Sequence, residues 1–247
     1  AAVTKGGEDP LKCPHLDACG LGDEFVAAGR ETGGLSRVAG LLAEKERALA
    51  GFLKNRAKEL DFSVLAPRLG CQWSGPAVNS LCFRYLGRDV RLSPQGVFFD
   101  DREVEEPRDQ ILLYNYVQYG GGDPLSGEWV GMESLPNSIS KVRTLRVYCE
   151  ERIAAGFCGK TALLTKCVAA IDGVARNVGG QGCSAAFRVP VLPRLAMMPV
   201  FWDEDPEEGF PPRVKILYDK NVLSVLDLES LVFACERMAE RLLELSE

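Results

Sequence analysis

Cys13, His15 and Cys19 place three soft or borderline ligands within seven residues, and Pro14 stiffens the loop between the first two. Thiolate and imidazole suit zinc or an iron-sulfur cluster, so these three are candidate metal ligands. The order C-P-H-x-x-x-C is neither a C-x-x-C pair nor a ferredoxin run. A closed site would draw a fourth ligand from elsewhere, from Cys71, Cys82, Cys158 or Cys183. The alternative is an ordinary loop with free thiols. His15 is the only histidine. Any site that needs two imidazoles from one chain is therefore excluded, including H-E-x-x-H zinc hydrolases and two-histidine iron oxygenases. A Ser-His or Cys-His catalytic pair would have to use His15.

Nine cysteines without a secretory signal read as free thiols or metal ligands in a cytoplasmic setting rather than as a disulfide framework, and they fit an anaerobic one. Cys149, Cys158 and Cys167 lie nine residues apart. On one helix that spacing turns successive thiols by about 900°, so they occupy separate core positions unless the helix breaks at Gly156 or Gly159. Gly159, Lys160 and Thr161 match the end of a phosphate-binding loop, but Ala154 stands where its first glycine belongs, and a helix start fits better. The glycine turn at 178–184 reads as a flexible connection, and Asp203 to Glu208 as a solvated turn between strands. Asp100, Asp101, Glu103, Glu105 and Glu106 form a second acidic patch, whose carboxylates could do acid-base work only if one were desolvated. Tyr114, Tyr116 and Tyr119, with Trp129 and Trp202, either pack in the core or line a pocket for a flat ligand. Tyr114, Trp129 and Trp202 are the candidate cofactor contacts.

The elements that must hold these residues follow from the pattern. Apolar residues recur at three and four from Gly34 to Leu60, an amphipathic helix, with a short helical piece at Ser63–Leu69. Short alternating runs from 72 to 100 read as an antiparallel meander. Pro107 opens a helix to Tyr119 with hardly a polar face, hence buried. Two helices come next, at 139–156 and 160–175, then strands at 184–192, 195–202 and 213–219, and a last helix capped by Asp227. Blocks of strands and helices, rather than strict alternation, indicate an α+β fold with a mainly antiparallel sheet and segregated helices. Residues 1–31 read as a flexible leader containing the Cys/His group, and 32–247 as a single domain. The 247 residues carry 29 basic and 35 acidic side chains, a net charge of -6. No basic cluster stands out, which argues against nucleic acid. Apolar runs such as Leu195–Trp202 are far too short to cross a membrane.

Four blocks, DQILLYNYV at 109–117, PLSGEWVGMESLP at 124–136, FRVPVLPRLAMMPVFW at 187–202 and FPPRVKILYDKNV at 210–222, resemble in sequence and order the domain-of-unknown-function family numbered three-seven-eight-six. The resemblance covers about two thirds of the chain. It implies an anaerobic bacterial or archaeal setting, and an iron-sulfur label that belongs to an N-terminal four-cysteine domain, of which this leader has Cys13 and Cys19. The expected function is an accessory protein of anaerobic metabolism, binding a metal centre or a flat cofactor (a corrinoid, another tetrapyrrole or an iron-sulfur cluster). The rival classes are an enzyme with Cys158 or Cys183 as nucleophile and a module that binds a partner protein.

Overall fold

The computed structural model describes residues 34–119, 125–177 and 182–247. The chain divides into two units, 1–48 and 49–247. In the first, the described part is the start of helix α1 (Gly34–Arg56), and Cys13, His15 and Cys19 lie outside the described residues.

Within the second unit, the end of α1 buries Ala50 and Leu53, and Lys54 and Arg56 sit in its last turn, where the helix dipole favours positive charge. The helix stops at Arg56 and a tighter turn, Ala57–Glu59, takes the chain to Leu60. Asp61 caps α2 (Phe62–Leu69) by accepting from Ser63 N at 3.0 Å, and Gly70 ends it in the left-handed conformation.

The meander expected after it is a five-stranded antiparallel sheet in sequence order: β1 (Gln72–Trp73), β2 (Leu81–Tyr85), β3 (Arg88–Ser93), β4 (Gly96–Phe99) and β5 (Arg102–Glu103). Its β2–β3 and β4–β5 turns are two-residue loops with positive φ at both positions, Leu86 and Gly87 in one, Asp100 and Asp101 in the other. That geometry matches the twist of the flanking strands. Gly87 is also fixed by close approach, since a Cβ there would lie 2.4 Å from Ala170 O.

Helix α3 (Pro107–Tyr119) is buried as its composition demands, with Ile111 to Tyr114, Tyr116 and Val117 all inside. The second sheet has the order β6 (Trp129–Gly131), β10 (Arg213–Asp219), β9 (Leu195–Trp202), β8 (Ala185–Leu192) and β7 (Val174–Ala175), all antiparallel. Phe187, Val189, Met197, Phe201, Ile216 and Tyr218 on one face join the main core with the helices. On the other face Ala186, Met198 and Val200 form a separate cluster with Trp129, Cys183, Trp202 and Leu217.

The chain departs from the sequence pattern in two stretches. The helix expected at 139–156 is α4 (Ile139–Leu145), a π turn over Arg146–Glu150, and α5 (Glu151–Phe157). The helix expected at 160–175 is α6 (Thr161–Ala170), after which Val174 and Ala175 leave as the edge strand β7. Asp172, in the left-handed region at φ 61°, and Gly173 turn the chain there. Helix α7 (Leu228–Glu244) starts, as expected, on Asp227, which accepts from Ser230 N at 2.9 Å. The molecule is α+β.

Candidate functional site

Strand β9 ends at Trp202 and β10 begins at Arg213, and the two residues are direct cross-strand partners. Their side chains therefore leave on the same face. The Arg213 guanidinium lies 4.1 Å from the centroid of the Trp202 ring, a distance at which the positive charge is attracted by the ring face. Between the strands the chain makes a compact acidic turn, closed by the Asp205–Phe210 bridge. There Asp205 Oδ1 accepts from Glu207 N at 3.0 Å and Glu208 N at 3.1 Å. This turn, the strand ends and the π turn border an open cavity of about 1140 Å³, lined by Glu150, Ala154, Trp202, Glu208, Arg213 and Lys215 among others.

The π turn decides what the cavity contains. One wider turn shifts the helical phase and places two consecutive residues, Cys149 and Glu150, inside. Glu150 is only 6% exposed. Its Oε1 accepts from Ile216 N at 2.9 Å and lies 4.0 Å from Lys215 Nζ. Lys215 is itself closer to Glu133, at 2.8 Å. Burial pushes the Glu150 carboxyl above its ordinary value, against the pull of the Ile216 N–H and of Lys215. Backbone space bears on this arrangement. A Cβ on Gly131 would lie 2.4 Å from Glu133 Oε1, so any other residue there makes that carboxylate shift.

Gly159, Lys160 and Thr161 do form an anion-binding helix start, and the anion is the chain's own. Asp203 Oδ1 accepts from Gly159 N at 2.7 Å and Oδ2 accepts from Thr161 Oγ1 at 2.7 Å. The N-terminus of α6 is thereby used to fix the acidic turn beside the cavity.

The aromatic candidates separate. Trp129 and Trp202 both pack on the outer-face cluster but at opposite ends of β10, beside Asp219 and Arg213, and Trp202 lines the cavity whereas Trp129 does not. Tyr114 is fully buried, donates to Ser93 O at 3.0 Å, and lines neither this cavity nor a second one of about 650 Å³ beside β2 and β3. The seven described cysteines are all free thiols. Cys149, Cys158 and Cys167 fall on the π turn, on the break after α5 and on α6, and among the described residues no group of three or more His, Cys, Asp or Glu could hold a metal. Loss of water and the nearby Glu204 and Asp203 carboxylates push the Cys158 thiol up, the reverse of what a thiolate nucleophile needs. Asp100 and Asp101 are exposed turn residues. Glu150 and Lys215 were not legible as site residues: the π turn breaks the periodicity that would show a glutamate facing inward, and Lys215 reads only as the outward position of a strand.

No curated protein and no solved structure matches the chain. The model of the family described as Domain of unknown function (DUF3786) matches residues 61–241. That span runs from the cap of α2 into α7, so it contains both sheets, the π turn and every residue of the cavity. With well over half its length matched, the chain belongs to the domain of unknown function family DUF3786.

Proposed function

We propose that the protein is an accessory binding protein that holds a flat organic cofactor in the cavity beside Trp202, with corrinoids and other tetrapyrroles as the first class to test. The observation that carries this reading is the indole of Trp202 at the wall of a cavity of about 1140 Å³, somewhat larger than the usual small-molecule pocket of about 300–1,000 Å³. Packing against the Ala186, Met198 and Val200 cluster, with the Arg213 guanidinium over its ring, gives the indole a defined position before any ligand arrives. The raised Cys158 thiol counts against that residue as a nucleophile. The seven free thiols among the described residues fit a reducing compartment such as the cytoplasm. The metal branch of the proposal rests on Cys13, His15 and Cys19, which suit zinc or an iron-sulfur cluster completed by a further ligand.

The test is purification without oxygen, then an absorption spectrum, metal analysis and titration with hydroxocobalamin and haem. Binding of a flat molecule that Trp202→Ala abolishes and Cys13→Ser with Cys19→Ser leave intact is the expected result. Stoichiometric metal that depends on the two cysteines and ignores Trp202 would carry the metal branch instead. Failure to bind any of them overturns both.

A further inference from the structure

The polar groups around the cavity are unevenly committed. Six carboxylates, Glu150, Glu151, Asp203, Glu204, Asp205 and Glu208, line it beside three basic residues, Arg146, Arg213 and Lys215. Each basic group already has a partner within the fold. Arg146 pairs with Glu151 at 3.2 Å, Lys215 pairs with Glu133 at 2.8 Å, and Arg213 lies on the Trp202 ring. On the acidic side, Asp203 and Asp205 are taken by the α6 start and by the turn.

Glu150 is different. Only its Oε1 is engaged, by Ile216 N and more distantly by Lys215, and among the described residues no donor meets Oε2. The residue is 94% buried and lines the cavity. That oxygen is not sealed off, since the fully buried side-chain nitrogen or oxygen without a partner among the described residues is Arg241 Nε, so Oε2 opens onto the cavity within reach of a bound donor. The Glu208 carboxylate at the cavity's outer side likewise has no partner among the described residues. The cavity therefore presents spare acceptors at two depths and no spare donor of comparable burial.

We infer that the cavity selects a flat ligand bearing N–H donors or a positive charge, with Glu150 Oε2 as its inner acceptor and Glu208 as its outer one. Negative charge within the cavity is disfavoured by the same groups, because six carboxylates line the space and the three cations have partners, so a tetrapyrrole with acid side chains would keep them towards solvent. This inference rests on the cavity being the binding site, and extends that reading to the chemistry of the ligand.

The experiment uses the full chain and two planar dyes of similar size: proflavine, a cation with two amino groups, and pyrene-1-sulfonate, an anion. Titrations are monitored by dye anisotropy. Proflavine is expected to saturate at one per chain, with pyrene-1-sulfonate at least tenfold weaker. Glu150→Gln, which keeps an oxygen for Ile216 N, and the exposed Glu208→Gln should each weaken proflavine severalfold while far-ultraviolet circular dichroism stays unchanged. Trp202→Ala should abolish the site. Asp101→Asn, on a turn that does not line the cavity, should change nothing. Equal binding of both dyes, indifferent to Glu150→Gln but lost in Trp202→Ala, overturns the donor preference and leaves the flat-ligand reading standing. An equal loss in Asp101→Asn shows general attraction to an acidic protein and overturns the inference. No binding of either dye overturns it together with the cavity as a site.

Discussion

Asp109 and Glu150 are both buried carboxylates, 2% and 6% exposed, and their surroundings make them opposite cases. Asp109 takes both oxygens to Arg237, Nε and a terminal nitrogen each at 2.9 Å, and accepts from Tyr85 OH at 2.8 Å. Arg237 also meets Glu240, which with Arg108 and Glu106 continues the network to the surface. Removing one partner strands the other charge. Asp109→Ala should therefore lose about 3–5 kcal/mol in denaturant unfolding, and Asp109→Leu with Arg237→Met should recover most of it. For Glu150, burial raises the folded value, so the folded state holds the proton more tightly than the unfolded chain. Ionisation then opposes folding. That cost is absent below the ordinary value of 4.5 and complete above the folded value. Lys215 and Arg146 face the carboxyl and lessen the cost, while Glu133, the Cys149 and Cys235 thiols and the Tyr218 hydroxyl add nothing to relieve it. Glu150→Gln should melt above the wild type at pH 7 and level with it at pH 4.

Short elements do more to place the cavity than long ones. β6 is three residues long, too short to show a period, and it exists because β10 pairs with it from Gly131↔Leu217 to Trp129↔Asp219. Its last residue controls Lys215 through Glu133. Gly131→Ala should drive the Glu133 carboxylate out, free Lys215 to pair with Glu150, and weaken proflavine by about fivefold, close to 1 kcal/mol. A different element test is Gly87→Ala, where positive φ and a 2.4 Å approach to Ala170 O combine; unfolding should show a loss of about 1–3 kcal/mol. The longer elements were legible. β8, β9 and β10 were visible as apolar runs cut by Pro193, Pro206 and the Pro211–Pro212 pair, α3 by its lack of a polar face, and α7 by Asp227 and its apolar stripe. Of the site, Trp202 could be named by type, but nothing in the sequence says that it lines the cavity while Trp129, at the other end of the same face, and Tyr114, in the main core, do not. That follows from strand pairing, which sets Trp202 beside Arg213 and Trp129 beside Asp219. Glu150 was hidden because a π turn cannot be read from a 3.6-residue period.

At the scale of the molecule, one unit from residue 49 onward carries both sheets, and the family match covers most of it. Among the described residues no helix is long and apolar enough to cross a membrane. Several carboxylates tie distant segments together. Asp219 holds the 126–127 turn by accepting from Ser126 N at 3.0 Å and Gly127 N at 2.8 Å, and Asp203 holds the start of α6. Burial alone would raise both carboxyls, but these donors hold them below the usual aspartate value. A lowered folded value contributes stability above the ordinary 3.8, and that stability is lost as pH falls through the folded value. Thermal unfolding should accordingly become easier below about pH 4, and Asp219→Asn should flatten that acid dependence. The central claim, a flat ligand against Trp202, has a direct reporter because the chain has only three tryptophans, Trp73, Trp129 and Trp202. With Trp73→Phe and Trp129→Phe leaving Trp202 as the sole indole, titration with proflavine should quench its emission saturably at one dye per chain. Quenching that grows linearly without saturation, as for a free indole in solution, would contradict the account.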